Sequence, residues 1–306
     1  MRIDRHTGTS LVAAVVTFGL GWALASRAYG AEGSLNQDGR ATVATQPPPR
    51  ALTRDDVLSV RDGRFFLEGE PFAEISFNKF DLLWQLHDQL AAGKTLDDAN
   101  PLVQAQDKAL RDLHQMGFRT IRVFALPWGP GGPAAYADPD RRKTLYAALD
   151  RMLDLCDRHD VRVVWSLGAG TFTDARIEPG KGWVYGEEQE RELVSDPESR
   201  GRRLLYQSID ETVARYRSRK AVLMWEISNE VTLSAAIGDQ ERVYNGQRMP
   251  TLKEVAGFFD DVGKRIKAAD PLRLVNSGGS SLREHQWHRY TETAWKLDTA
   301  EDQFRC

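Results

Sequence analysis

The chain has 306 residues, 41% hydrophobic and 28% charged, a balance that suits a globular protein and excludes collagen-like, low-complexity or multi-span membrane chains. Forty-one Lys and Arg stand against 44 Asp and Glu, so no basic excess argues for nucleic acid. Cys156 and Cys306 are the only cysteines and lack metal-ligand spacing, which leaves neither a disulfide scaffold nor a cysteine-based zinc site.

At the N-terminus, Arg2 and Arg5 precede an apolar run from Leu11 to Ala25, and small residues follow around Ala28 to Ala31. This order reads as a secretory signal peptide over residues 1–31, and it predicts a secreted or periplasmic body. The alternative is an uncleaved N-terminal anchor. Residues 7–26 carry no charge, and about 20 helical residues at ~1.5 Å each cross a ~30 Å hydrocarbon core. Residues 32–52, with Pro47-Pro48-Pro49, lack periodicity and read as a flexible linker. The folded part is expected over residues 53–306.

Val57 to Leu67 contains two extended runs about Asp62-Gly63, a hairpin signal. Phe72 to Phe77 alternates apolar and polar residues and predicts a strand. Gln106 to Met116 has apolar residues at helical spacing and stops at Gly117. Arg119 to Leu126 is strand-like. A helix is expected from Asp140 to His159, with Leu145, Leu149, Met152, Leu153 and Cys156 on one stripe; Cys156 there reads as a buried filler. Strand-like Val161 to Leu167, helical Arg202 to Arg217 and strand-like Ala221 to Ile227 follow. A helix from Leu252 to Ala268 ends at Asp270-Pro271, before a fifth strand from Leu272 to Asn276.

Alternating strands and helices predict a parallel sheet. Loop lengths refine this. Helix-to-strand turns are minimal, as at Asp160 and Arg219-Lys220, whereas about 28 residues follow Phe77 and about 30 follow Leu167, so elaboration gathers where (β/α)8 barrels keep their active sites. The fold class is therefore α/β, a (β/α)8 TIM barrel. A doubly wound dinucleotide-binding sheet is disfavoured, because Gly168-Ala169-Gly170 lacks a third glycine.

The fourth parallel strand closes on Trp225-Glu226-Ile227-Ser228-Asn229-Glu230. A carboxyl at a buried strand end is desolvated enough to stay protonated near neutral pH, and a neighbouring amide can bind a sugar hydroxyl. Glu226 lies on the same strand face as Glu230 and is expected to make buried polar contacts in the barrel. These residues resemble glycoside hydrolase family 5, the retaining cellulase and β-mannanase family. Val60 to Asn78 resembles that family's first hairpin and strand, and Leu110 to Phe124 its first helix and second strand, ending in an arginine, here Arg122. The resemblance covers roughly Val57 to Ser281.

It implies a role for each matching residue. Glu230 would be the acid/base, protonating the glycosidic oxygen and then activating water. Asn229 would hydrogen-bond the sugar 2-hydroxyl, and Arg122 would hold the nucleophilic carboxylate. A retaining mechanism places that second carboxylate about 5–5.5 Å from the first, and in the family it comes from the seventh strand. Trp128, Trp183 and Tyr185 fall in the long loops, where aromatic rings can stack on apolar sugar faces. Trp165, inside a strand, reads as core. The implied partner is a β-linked glucan or mannan, with no nucleic acid, no cofactor and no metal; His285 and His288 lack a third ligand. Membrane contact is expected only if residues 7–26 remain.

Two departures qualify the resemblance. About 30 residues follow Asn276, where three further βα units need around 90, so about five of eight units are expected and the nucleophile has no matching position. Glu284, Glu292, Asp298, Glu301 and Asp302 read as surface charges. At the third strand, Ser166-Leu167-Gly168 stands where many relatives carry histidine, which leaves the substrate open. The second hypothesis is an inactive or carbohydrate-binding relative of the same fold. Arg141 to Lys143 and Arg200 to Arg203 read as solvated helix starts.

Overall fold

A computed structural model describes residues 51–127, 132–172, 187–229, 231, 243–244, 247–248, 250–279, 299 and 301. The N-terminal apolar run, the linker up to residue 50, Trp128, Trp183, Tyr185, Glu230 and the His285–His288 pair lie outside them. Among the described residues no helix is long and apolar enough to cross a membrane.

The chain first reverses at Asp62 and Gly63, both with positive φ, the geometry that an Asp-Gly turn supplies. This joins β1 (Ser59–Arg61) to β2 (Arg64–Leu67), and a second turn at Glu68 and Gly69 adds β3 (Glu70–Pro71). Leu58, Leu67 and Phe72 of this antiparallel unit pack on Val164, Leu223, Met224 and Leu274. It closes the N-terminal end of the main sheet, where Glu68 pairs with Arg162 and Lys220 at the strand starts.

β4 (Phe77–Asn78) is shorter and later than Phe72 to Phe77. The stretch after it is not one long loop. It holds α1 (Asp81–Ala91), whose Leu82, Leu83 and Leu86 are buried. Next comes α2 (Pro101–Gln115), starting before Gln106 because the Asn100 side chain accepts from the Leu102 and Val103 amides and Pro101 takes the first helical position. β5 (Thr120–Phe124), α3 (Pro139–Arg158) and β6 (Arg162–Ser166) follow. The loop after β6 contains α4 (Glu187–Ser195), ahead of α5 (Arg200–Tyr216) and β7 (Val222–Glu226). A two-stranded ribbon, β8 (Val243–Tyr244) with β9 (Gln247–Arg248), precedes α6 (Leu252–Ala269), capped by a Thr251–Glu254 box, and β10 (Val275–Asn276).

Five strands form one sheet in the order β10-β7-β6-β5-β4, and every neighbouring pair is parallel. Right-handed strand–helix–strand units give this succession of neighbours. One face of the sheet meets the helices through Ile121, Val123, Val163, Trp165 and Trp225, all buried. Trp165 and Trp225 stack at 5.5 Å, and Cys156 is fully buried beside this core, as the sequence predicts. Burial pushes the Cys156 thiol pKa far up, so it stays protonated and inert.

Arg202 corrects the expectation of a solvated basic helix start. Its side chain is buried; Nε and Nη2 donate to the Leu193 and Val194 carbonyls, Nη1 to Asp261, and the guanidinium lies over the Phe258 ring. The carbonyls at the end of α4 have no partner within their own helix, and this arginine satisfies them. Gly201 beside it lets the Phe172 carbonyl come close: a Cβ there would meet that oxygen at 2.0 Å.

Candidate active site

Parallel strands in register put a row of side chains across the sheet's other face. Asn78 stands beside Arg122, and Ser166 and Asn276 stand on either side of Glu226. Asn78, Ser166, Glu226 and Asn276 end their strands, opposite the end closed by the hairpin, and Arg122, central in β5, reaches towards them. Alternation along a strand explains the mixture: odd positions 121, 123 and 225 meet the helices, while 122 and 226 turn inward.

Arg122 organises the row. Its Nε donates to both Glu226 carboxylate oxygens, at 2.9 and 3.1 Å, and its Nη2 donates to Glu226 Oε1. The same Nη2 donates to Asn229 Oδ1 at 2.9 Å, and Nη1 reaches Asn78 Oδ1 at 3.3 Å. The guanidinium is 5.7 Å from the Phe80 ring and 5.4 Å from the Phe124 ring, and those two rings stack at 4.4 Å. Planar donors on one edge and aromatic faces alongside are what a guanidinium offers and an ammonium does not. Glu226 is almost enclosed, with 6% of its side chain exposed.

The backbone beneath is tied on both sides. The Leu167 amide donates to the Glu226 carbonyl and the Ile227 amide to that of Asn276. Ser166 Oγ donates to the Ser228 carbonyl at 3.1 Å, and Ser228 Oγ to the Ser277 carbonyl at 2.7 Å. Ser166, at the third-strand position flagged by the sequence, thus braces the segment that carries Asn229. Gly278 adopts φ +68°, and a Cβ there would lie 1.8 Å from the Ser228 oxygen and 2.7 Å from Glu226 Cγ. Only glycine lets the loop after β10 press on this carboxylate stem.

Of the residues singled out in the sequence, Arg122 and Asn229 are brought into contact. Glu226 is the buried polar residue expected. That it is the carboxylate Arg122 holds was not legible, because alternation names a face and not a partner across the intervening strand β6. Among the described residues no group of three or more His, Cys, Asp or Glu side chains could hold a metal ion.

No protein-family model and no curated protein sequence matches the chain. Solved structures do. A glycoside hydrolase family 5 mannosidase from Rhizomucor miehei matches with a TM-score of 0.52 at 17% identity, over 78% of this chain and 59% of that one. The chain has a glycoside hydrolase family 5-like fold. The endo-1,4-beta-mannanase of the same organism gives a TM-score of 0.51 at 12% identity, over 77% and 66% of the two chains. The beta-1,4-D-mannanase of Cryptopygus antarcticus gives 0.51 at 17% identity, over 76% and 64%. The chain therefore spans roughly three fifths to two thirds of the length of these family 5 structures. On this family 5-like fold, whose described residues form five parallel strands, the Arg122–Glu226–Asn229 cluster lies towards the C-terminal strand ends, where barrel enzymes carry their chemistry.

Proposed function

We propose that the chain is a glycoside hydrolase of the family 5 type, acting on a β-linked mannan or glucan. The observation that carries this reading is the Asn229 amide, fixed by Arg122 at the C-terminal end of a parallel strand. With its oxygen taken by the guanidinium, its Nδ2 has no acceptor among the described residues and is the group that would donate to a sugar hydroxyl. Glu230, next in the chain, would serve as acid/base in a retaining double displacement whose nucleophilic carboxylate has no matching position in this sequence, with Trp128, Trp183 and Tyr185 as stacking surfaces. The basic and apolar N-terminal segment supports export, by a cleaved signal or an anchor over residues 7–26.

A second reading, an inactive or carbohydrate-binding relative, is favoured by one specific observation. Glu226, the carboxylate that Arg122 grips, is enclosed and held by its charge partner rather than presented for attack. One experiment separates the two. The full chain is incubated with β-1,4-linked manno- and gluco-oligosaccharides, and the products are followed by mass and by the configuration of the new reducing end. Hydrolysis with retention, abolished in Glu230→Gln, supports the first reading and requires that a second carboxylate reach the site, although none matches the family's seventh-strand position. Binding without cleavage selects the second reading, and unchanged turnover in Glu230→Gln contradicts the acid/base assignment.

A further inference from the structure

We propose that Glu226 is the positioning residue of this site, acting through Arg122 to set the Asn229 amide. The inference rests on the reading of Asn229 as a sugar-binding group. The geometry runs in one direction. The backbone from Glu226 to Ser228 is held from both neighbouring segments by the Leu167, Ile227 and Ser166 hydrogen bonds and by the close pass at Gly278. Asn229 follows directly on this held segment, and its side-chain torsion sets where the amide points.

That torsion is governed by a single shared donor. Arg122 Nη2 serves Glu226 and Asn229 together, and Nε is spent on Glu226. The two-point grip of a carboxylate fixes the plane of a guanidinium. The plane in turn fixes where Nη2 aims its second proton, and hence which end of the Asn229 amide turns to Arg122. The stacked pair Phe80 and Phe124 lies beside the guanidinium. A buried ion pair is often no more stabilising than an apolar pair of the same volume, so stability alone does not account for it.

The test uses the full chain labelled with nitrogen-15 at pH 7. In the wild type, the Arg122 Nε proton is expected to exchange slowly with water. In Glu226→Gln it is expected to exchange freely, and the Asn229 side-chain amide signals should shift although residue 229 receives no hydrogen bond from residue 226. Glu226→Asp, which retracts the charge by one methylene, serves where the glutamine variant does not fold. A freely exchanging Arg122 Nε proton in the wild type, or unmoved Asn229 signals in a folded variant, overturns the proposal. Oligosaccharide titration adds the functional readout. Glu226→Gln should weaken mannohexaose binding about tenfold in the wild-type background and not at all in Asn229→Ala, the mark of coupling between the two residues. Equal losses in both backgrounds overturn the proposal. Failure of the wild type to bind any β-linked oligosaccharide overturns the functional reading instead, and the exchange measurement then decides the positioning claim alone.

Discussion

Arg122 is the residue on which most of the site depends, and its removal should show it. Arg122→Ala leaves Glu226 enclosed without its counter-charge, a loss of about 3–5 kcal/mol, measurable as a lowered urea midpoint. A change below about 1 kcal/mol would mean that the pair is solvated in solution. Gly278 makes a second residue-scale prediction. Alanine there meets both a positive φ and the Ser228 oxygen, and should cost about 1–3 kcal/mol. Sugar binding should fall with it, since Glu226 Cγ is the next atom displaced. Arg122, Asn229 and the inward side of Glu226 were legible because motif and alternation mark them. Gly278 was not, since a close approach between segments fifty residues apart leaves no local signature.

Among the elements, α1 shows why a stretch can be misread. The residues after Phe77 contain no breaker until Gly93, and Leu82, Leu83, Leu86 and Leu90 form a helical stripe against the core. That periodicity marks a helix within the interval. Conversely, β4 shrank to two residues, because alternation over Phe72 to Phe77 reflects packing of Phe72 on the hairpin cluster as well as strand pairing. α1 also carries a titratable group. Burial pulls the His87 pKa below its ordinary 6.5, against the weaker attraction of Asp88 3.8 Å away. The unfolded chain therefore takes up this proton first. The stabilisation is complete above pH 6.5 and is lost as pH falls towards the depressed folded value. His87→Gln should flatten the urea midpoint across that window, and an unaltered slope would assign it to other groups. Glu68, whose pKa the Lys220 hydrogen bond holds below its ordinary 4.5, acts only at lower pH.

For the whole molecule, the asymmetry of loop lengths was the most informative signal in the sequence. Short turns at one end and long excursions at the other predicted parallel strands with the site at their C-terminal ends, and the sheet order β10-β7-β6-β5-β4 follows that pattern. The hairpin was legible as a hairpin, but its place was not, because its contacts to Val164, Met224 and Leu274 join segments far apart in the chain. The burial of Arg202 was hidden for the same reason: a cluster of arginines at a helix start looks solvated until the carbonyls of another helix are set beside it. The central claim is that the strand-end cluster around Asn229 binds a β-linked sugar. Its most direct test is calorimetric titration of the wild-type chain and Asn229→Ala with mannohexaose and cellohexaose. Saturable binding by the wild type, weakened about tenfold or more in Asn229→Ala, is the predicted result. Equal affinity in both proteins, or no binding by the wild type, would contradict it.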